Sequence, residues 1–341
     1  MRRSMVRTRY EDARLGAIAE AKSLHRRLDS KHILSKNKQG FVDVFGVIEA
    51  LNIPLVFDKL DALGFCLPFP SKGIMINKNR TLHIQRFTAA HELGHAVLEH
   101  QGSIDHRLNY RGGMDAPSSD PIQEVAADAF AAEFMLPRWL YKHHIQTQKW
   151  TVDRHLRNPE IVYQLSLRMG ASYEATCWGL LSHKILSKTF VEELVSTEVA
   201  LIKRSTVADS LPGNSWANVW RLSQKDNGAY YSADTQDLLR LDLSEGNIPQ
   251  SAWDVSALRD VGFEVVSDET LSQLCSSSNV FDRRVVVRPP RKEFGEVLIS
   301  QRNPEIPFAA ENPMLGVMLE LGGKETGKFS RGLKRKKGLV A

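Results

Sequence analysis

The chain has 341 residues, 42% hydrophobic and 25% charged with a net charge of +5, the make-up of an ordinary globular protein long enough for two domains. No apolar run approaches the ~20 residues a membrane-spanning helix needs, and the start, Met1-Arg2-Arg3-Ser4-Met5, is basic without the apolar stretch of a signal peptide. Three scattered cysteines, Cys66, Cys177 and Cys275, form no C-x-x-C pair, which argues against a disulfide framework or thiolate zinc knuckle and for a reducing, cytoplasmic setting without a membrane.

Residues 11–28 have helix-forming composition and apolar spacing near 3.6, so they predict an opening helix. A second helix is expected around Val42–Leu51, leading into a strand at Ile53–Phe57. Gly73–Asn77 and Thr81–Ile84 read as two strands of a hairpin around Asn77-Lys78-Asn79-Arg80. The hairpin runs into a helix from Phe87 to about His100, ended by Gly102. A stretch rich in Gly, Ser and Pro then reads as a loop over 102–119. Asp120-Pro121 marks the next helix start, with Asp as N-cap and Pro at the first position, and the helix continues over Ile122–Leu136 to Pro137. Its five alanines supply helix propensity and permit close approach to a neighbouring helix.

Over 159–185 the pattern predicts a helix, a Gly170-Ala171 turn and a second helix from Ser172. That second helix offers Tyr173, Cys177, Trp178, Leu180 and Leu181 and no basic residue before Lys184, so packing is expected of it rather than DNA reading. From about residue 198 the pattern changes to period two. Leu239, Leu241 and Leu243 share one face, opposite Arg240, Asp242 and Ser244. Similar runs occur at Val199–Ile202, Trp216–Leu222, Tyr230–Ser232, Phe263–Val266, Arg284–Arg288, Val297–Gln301 and Gly316–Leu319, and Asp226-Asn227-Gly228 is a hairpin signal. Short strands at such spacing predict a β-sandwich. The last 18 residues carry Lys324, Lys328, Arg331, Lys334, Arg335, Lys336 and Lys337 against one acid, Glu325: a basic tail suited to solvent or to nucleic acid.

The chemistry concentrates at His91-Glu92-Leu93-Gly94-His95, which fits H-E-x-x-H. On a helix the two imidazoles lie on one face and can reach one ion, and Glu92 stands where a carboxylate can take a proton from water. A hydrolytic zinc site usually has three protein ligands, so a third is expected on another element. The helix opening at Asp120 offers Glu124 and Glu133. Glu124 is the better placed, near that helix's N-terminus, with Asp128 one turn on to hold a histidine N–H. His100 reads as an exposed or capping residue, and His143-His144 as surface.

Arg86-Phe87-Thr88-Ala89-Ala90-His91-Glu92-Leu93-Gly94-His95, followed by Glu124-Val125-Ala126-Ala127-Asp128 and the run to Pro137, resembles the ImmA/IrrE metallopeptidases; the likeness extends over roughly residues 10–190. Asp128 stands where that family often has Asn. The resemblance implies a zincin-like fold, one zinc ion held by His91, His95 and Glu124, and Glu92 as catalytic base. It also implies a substrate class: helix-turn-helix transcriptional repressors, cleaved after stress or DNA damage. The strand Gly73–Asn77, read as an edge, is the candidate to pair with an extended substrate. His106, Tyr110 and Arg111 are the candidates to stabilise the oxyanion.

Three further readings stand beside these. Cys66 is a candidate inhibitory fourth ligand, an ordinary buried cysteine being the plainer reading. Trp216, Trp220 and Arg221, with Lys334, Arg335, Lys336 and Lys337, are candidate nucleic-acid contacts, and single-stranded DNA a candidate activator. Asp237–Leu243, Gly246–Trp253 and Gly295–Pro304 faintly resemble chagasin-like inhibitor domains, which implies an immunoglobulin-like sandwich. The expectation is therefore an α+β chain: a zincin-like metallopeptidase domain over 1–190, a β-sandwich-like sensor or substrate-positioning domain over 191–322, and a disordered basic tail over 323–341. The competing class is a non-enzymatic nucleic-acid-binding regulator whose zinc site is structural or relict.

Overall fold

The computed structural model describes residues 2–67, 71–100, 103–105, 120–207, 214–244, 252–270, 282–302 and 313–332. They form two units. One takes the chain to Ser35, Phe41–Tyr141 and the segment from Lys324; the other takes Lys36–Gly40 and Lys142–Gly323.

The first unit opens with α1 (Arg2–Arg27), longer than its apolar spacing predicts, which buries Ala17, Ala21 and Leu24 as one helical stripe. Two short helices follow, α2 (Ser30–Lys36) and α3 (Val44–Ala50), then the strands β1 (Leu55–Asp58), β2 (Gly64–Leu67) and β3 (Gly73–Asn77). The expected hairpin at 73–84 is not formed. Thr81 instead precedes α4 (Leu82–Val97), and β3 pairs antiparallel with β2. Asn77 makes the turn: its Oδ1 accepts the Asn79 N–H at 3.0 Å while its Nδ2 donates to the Leu60 and Ala62 carbonyls. Four residues of alternation at 81–84 could not by themselves separate strand from first helical turn.

A further strand, β4 (Ser103–Asp105), lies within the stretch read as loop, and α5 (Pro121–Met135) closes this part of the chain. The Asp120 side chain caps α5 by accepting the Ile122 N–H. Sheet order is β1-β3-β2-β4, with β1 and β3 parallel. β3 is thus an interior strand, and the reading of Gly73–Asn77 as an open edge is corrected: both its sides are already hydrogen-bonded. The tail reading is also corrected for residues 324–332, which return to this unit. The Lys328 carbonyl accepts the Phe57 N–H of β1 at 2.9 Å, and Glu325 is buried against Arg331. Counting charges hid an internal pair that neutralises itself. Lys334, Arg335, Lys336 and Lys337 lie outside the described residues.

After α6 (Arg138–Thr147), the second unit begins with four helices: α7 (Pro159–Met169), α8 (Tyr173–Ser182), α9 (Lys188–Val195) and α10 (Val199–Val207). Gly170, at φ +66°, ends α7 in the left-handed conformation that favours glycine, and Ser172 caps α8. Val199–Ile202 begins α10, so its reading as a strand is corrected; it buries Ile202, Thr206 and Val207, a helical spacing. Gln164 of α7 ties these helices to the strands of the same unit: its amide donates to the Val219 carbonyl and accepts the Arg221 N–H, pairing like a strand with the chain that follows.

That chain supplies β5 (Val219–Ser223), β6 (Ala229–Ser232), β7 (Leu238–Leu243), β8 (Ala252–Trp253), the short α11 (Ser256–Asp260), β9 (Glu264–Thr270), β10 (Arg283–Arg288), β11 (Phe294–Arg302) and β12 (Met314–Glu320). They form two four-stranded sheets, β5-β7-β10-β9 and β6-β12-β11-β8. Asp226-Asn227-Gly228 is therefore no hairpin turn, because β5 and β6 join different sheets. Trp220 of one sheet stacks on Tyr231 of the other at 5.6 Å between centroids. Every residue of β7 is buried, Arg240 and Asp242 included, since Val219, Leu238 and Val286 on that second face pack against Val207 at the end of α10. No helix among the described residues is long and apolar enough to cross a membrane.

Candidate metal centre

Helices α4 and α5 build the site by packing closely. At Gly94 a Cβ would lie 3.2 Å from Phe130 and 3.3 Å from the Ala127 backbone, so glycine on one helix and alanine on the other set the approach. The result brings the first turn of α5 against the buried face of α4. His91, Glu92 and His95 are all buried there, and Glu124 is partly so.

The ligand atoms converge. Glu124 carboxylate oxygens lie 3.3 Å from His91 Nε2 and 3.5 Å from His95 Nε2, and the two Nε2 atoms are 3.0 Å apart. Two atoms bound at about 2.1 Å in tetrahedral arrangement lie about 3.4 Å apart, so these separations suit a single ion. The donor chemistry also suits one. His91 turns Nδ1 to Asp128 at 3.1 Å, which places the proton on Nδ1 and leaves the Nε2 lone pair for a metal. Among the described residues no other group of His, Cys, Asp and Glu gathers in this way.

His100 was read as an exposed or capping residue. It is half-buried, and its Nδ1 stands 3.0 Å from His95 Nδ1. The signal lay past the helix end: Glu99 adopts φ +55°, and the His100 N–H bonds back to the His95 carbonyl. Burial holds the His100 pKa below its ordinary value. Glu133, the rejected third ligand, is buried and faces Lys22 of α1 at 3.9 Å.

Cys66 on β2 is not part of the converging group. Its thiol donates to the Leu67 carbonyl at 3.4 Å, and burial, with Glu92 adding to it, pushes its pKa up to about 12, so it remains a thiol at neutral pH. His144 is buried rather than on the surface; its Nε2 meets the Gly40 carbonyl at 2.7 Å. Trp220 is also buried, donating to Asp237 at 2.9 Å, so its ring is not open to a base, while Arg221 pairs with Asp242. Trp216 is 76% exposed. His106, Tyr110 and Arg111 lie outside the described residues.

Residues 48–180 match the IrrE N-terminal-like domain, Peptidase M78. Among curated proteins none matches the chain significantly. Two solved structures are similar to part of it. The cysteine protease inhibitor EhICP2 from Entamoeba histolytica shares 13% identity over 31% of this chain and 97% of its own, with a TM-score of 0.24. Amebosin shares 9% over 31% of this chain and 97% of its own, with a TM-score of 0.19. Residues 48–180, with the His-Glu-x-x-His helix and Glu124 at their centre, are thus the part of this chain that is similar to the IrrE N-terminal-like peptidases of the M78 family.

Proposed function

We propose that the protein is a zinc-dependent endopeptidase that cleaves a helix-turn-helix transcriptional repressor under stress. The observation carrying this reading is the convergence of His91, His95 and Glu124 at one-ion spacing with Glu92 buried beside the first ligand. Zinc bound there would supply Lewis acidity and an acidified water. Glu92 would take the proton from that water and deliver it to the leaving amine. Asp128 and His100 keep the two imidazoles turned with Nε2 inward. A purely structural site has no use for a carboxylate base beside its first ligand, and the burial of Trp220 removes one of the aromatics the competing nucleic-acid reading relied on.

The two sheets of the second unit, joined by the Trp220–Tyr231 stack, support reading it as a sandwich that senses a signal or positions the repressor. The test is incubation of the full chain and zinc with a panel of helix-turn-helix repressors from the same genome, with and without single-stranded DNA. Cleavage is expected from the native protein and a loss of about 10³-fold or more in Glu92→Gln, which should still bind zinc. Cleavage that survives that substitution would refute the mechanism, and a rate indifferent to DNA would remove it as activator.

A further inference from the structure

Gln85 and Arg86 are adjacent on α4, six and five residues before His91, and both are buried although polar. Each is held by a segment that has just left the second unit. Phe41 directly follows Gly40, and the Arg86 guanidinium lies 4.3 Å from its ring centroid. Lys324 directly follows Gly323, and the next residue, Glu325, meets the Gln85 amide with both backbone groups: Gln85 Nε2 donates to the Glu325 carbonyl at 2.9 Å, and the Glu325 N–H donates to Gln85 Oε1 at 2.8 Å.

This second segment is fastened along its length. Arg331 pairs with the buried Glu325 carboxylate at 3.4 Å and donates to the Lys324 carbonyl at 3.0 Å, closing 324–331 into a loop. Lys328 accepts from β1 and Ser330 donates to Glu49 of α3. We infer that these two returning segments clamp the metal-bearing helix at Gln85 and Arg86, and that the clamp sets that helix's affinity for its metal ion. A fully buried amide that loses its bonds to Glu325 keeps only the longer one from Nε2 to the Asn77 carbonyl at 3.4 Å, which loosens the turns between it and His91, and misplaced imidazoles hold an ion less well. Glu325 and Arg331 are thus positioning residues for that helix.

Full-length metal-free protein carries the first arm of the test, which is independent of the zinc reading. In Glu325→Ala and Arg331→Ala, amide exchange over Gln85–Ala90 and at Phe57 should accelerate about tenfold or more, with β7 amides unchanged. The second arm rests on the proposed zinc site: zinc affinity, read by competition with a chromophoric chelator, should fall about tenfold, and Arg331→Lys should recover most of it. Exchange on α4 that stays at the native rate in both variants overturns the clamp. Faster exchange with unchanged zinc affinity overturns its control of the site. If the native protein binds no zinc, the functional reading fails while the exchange arm still decides the clamp. Should Glu325→Ala not fold, Glu325→Gln keeps the backbone bonds to Gln85, removes the charge that holds Arg331, and serves the same comparison.

Discussion

Two buried polar clusters, one in each unit, are built on opposite principles. In the second unit Arg168 and Asp226 are fully buried at 3.0 Å, and the carboxylate also accepts from Gln148 and Tyr231 while the guanidinium donates to the Arg221 carbonyl. Charge meets countercharge, and the cluster closes on itself. In the first unit two imidazole nitrogens and a carboxylate point at one another, and the outer ring nitrogen of His91 turns outward to a second carboxylate. Three such atoms at this spacing are a favourable set around a cation. The lesson is that burial alone does not mark a functional site; what marks it is a set of buried groups whose charges do not balance among themselves.

The sharpest way to break this contrast is Arg168→Ala. It strands Asp226 and should cost about 3–5 kcal/mol in urea unfolding of the second unit. Replacing both partners by apolar residues of similar volume should cost far less. If the single substitution is tolerated, the cluster is not closed in the sense described.

Acidification tests both units at once through buried histidines that bond a carbonyl. Burial lowers His25 from its ordinary 6.5 to about 4 and His144 to about 3. Each folded state therefore resists protonation: the stability they lend is complete above about pH 6.5 and is lost as pH falls toward those values. At pH 4 the loss from each should be about 3 kcal/mol. Asp237 runs the other way, since burial raises it from 3.8 to about 6. Its contribution is complete below pH 3.8 and lost as pH rises through 6, so at pH 4 it returns about 2 kcal/mol to the second unit. Exchange-resolved unfolding at pH 7 and pH 4 should show the first unit weakening more; equal weakening would count against these assignments.

Smaller effects sharpen the open cluster. Asp128→Ala should weaken zinc binding about tenfold, while Asp128→Asn, which still accepts from His91 Nδ1, should stay within a few-fold. Chelator competition distinguishes them, and equal losses would mean that charge rather than orientation is what Asp128 supplies. Trp216→Ala, at an exposed ring in neither cluster, should change stability by less than about 0.5 kcal/mol in the same urea experiment.

Much of the first unit was legible residue by residue. The helix carrying His91 and His95, the Asp120-Pro121 start and the placing of Glu124 all follow from local rules, since i,i+4 spacing and capping are set within a few residues of chain. Where the reading went wrong, the deciding partner was distant in sequence. Leu82–Ile84 became the first turn of a helix, with Thr81 before it, where Asn77 ends its strand by bonding back to Leu60 and Ala62. Asp226-Asn227-Gly228 lost its hairpin because Arg168 holds Asp226 while the next strand joins another sheet. The alternation of β7 suggested one wet face, yet the end of α10 covers part of it and Arg240 reaches the Thr206 carbonyl.

By itself, then, the sequence picked out a His-His-Glu group that could hold a metal, a carboxylate beside it, and an α-rich region preceding a β-rich one, because these depend on helical period, caps and side-chain chemistry. Only the tertiary structure decided that Gly94 lets α5 bring Glu124 within 3.5 Å of both imidazoles, that His100 folds back onto His95, and that a tail counted as charge returns through Glu325 to the metal helix. Each of these is a contact across many residues of chain, and its energy depends on what else is buried beside it, which no local pattern records.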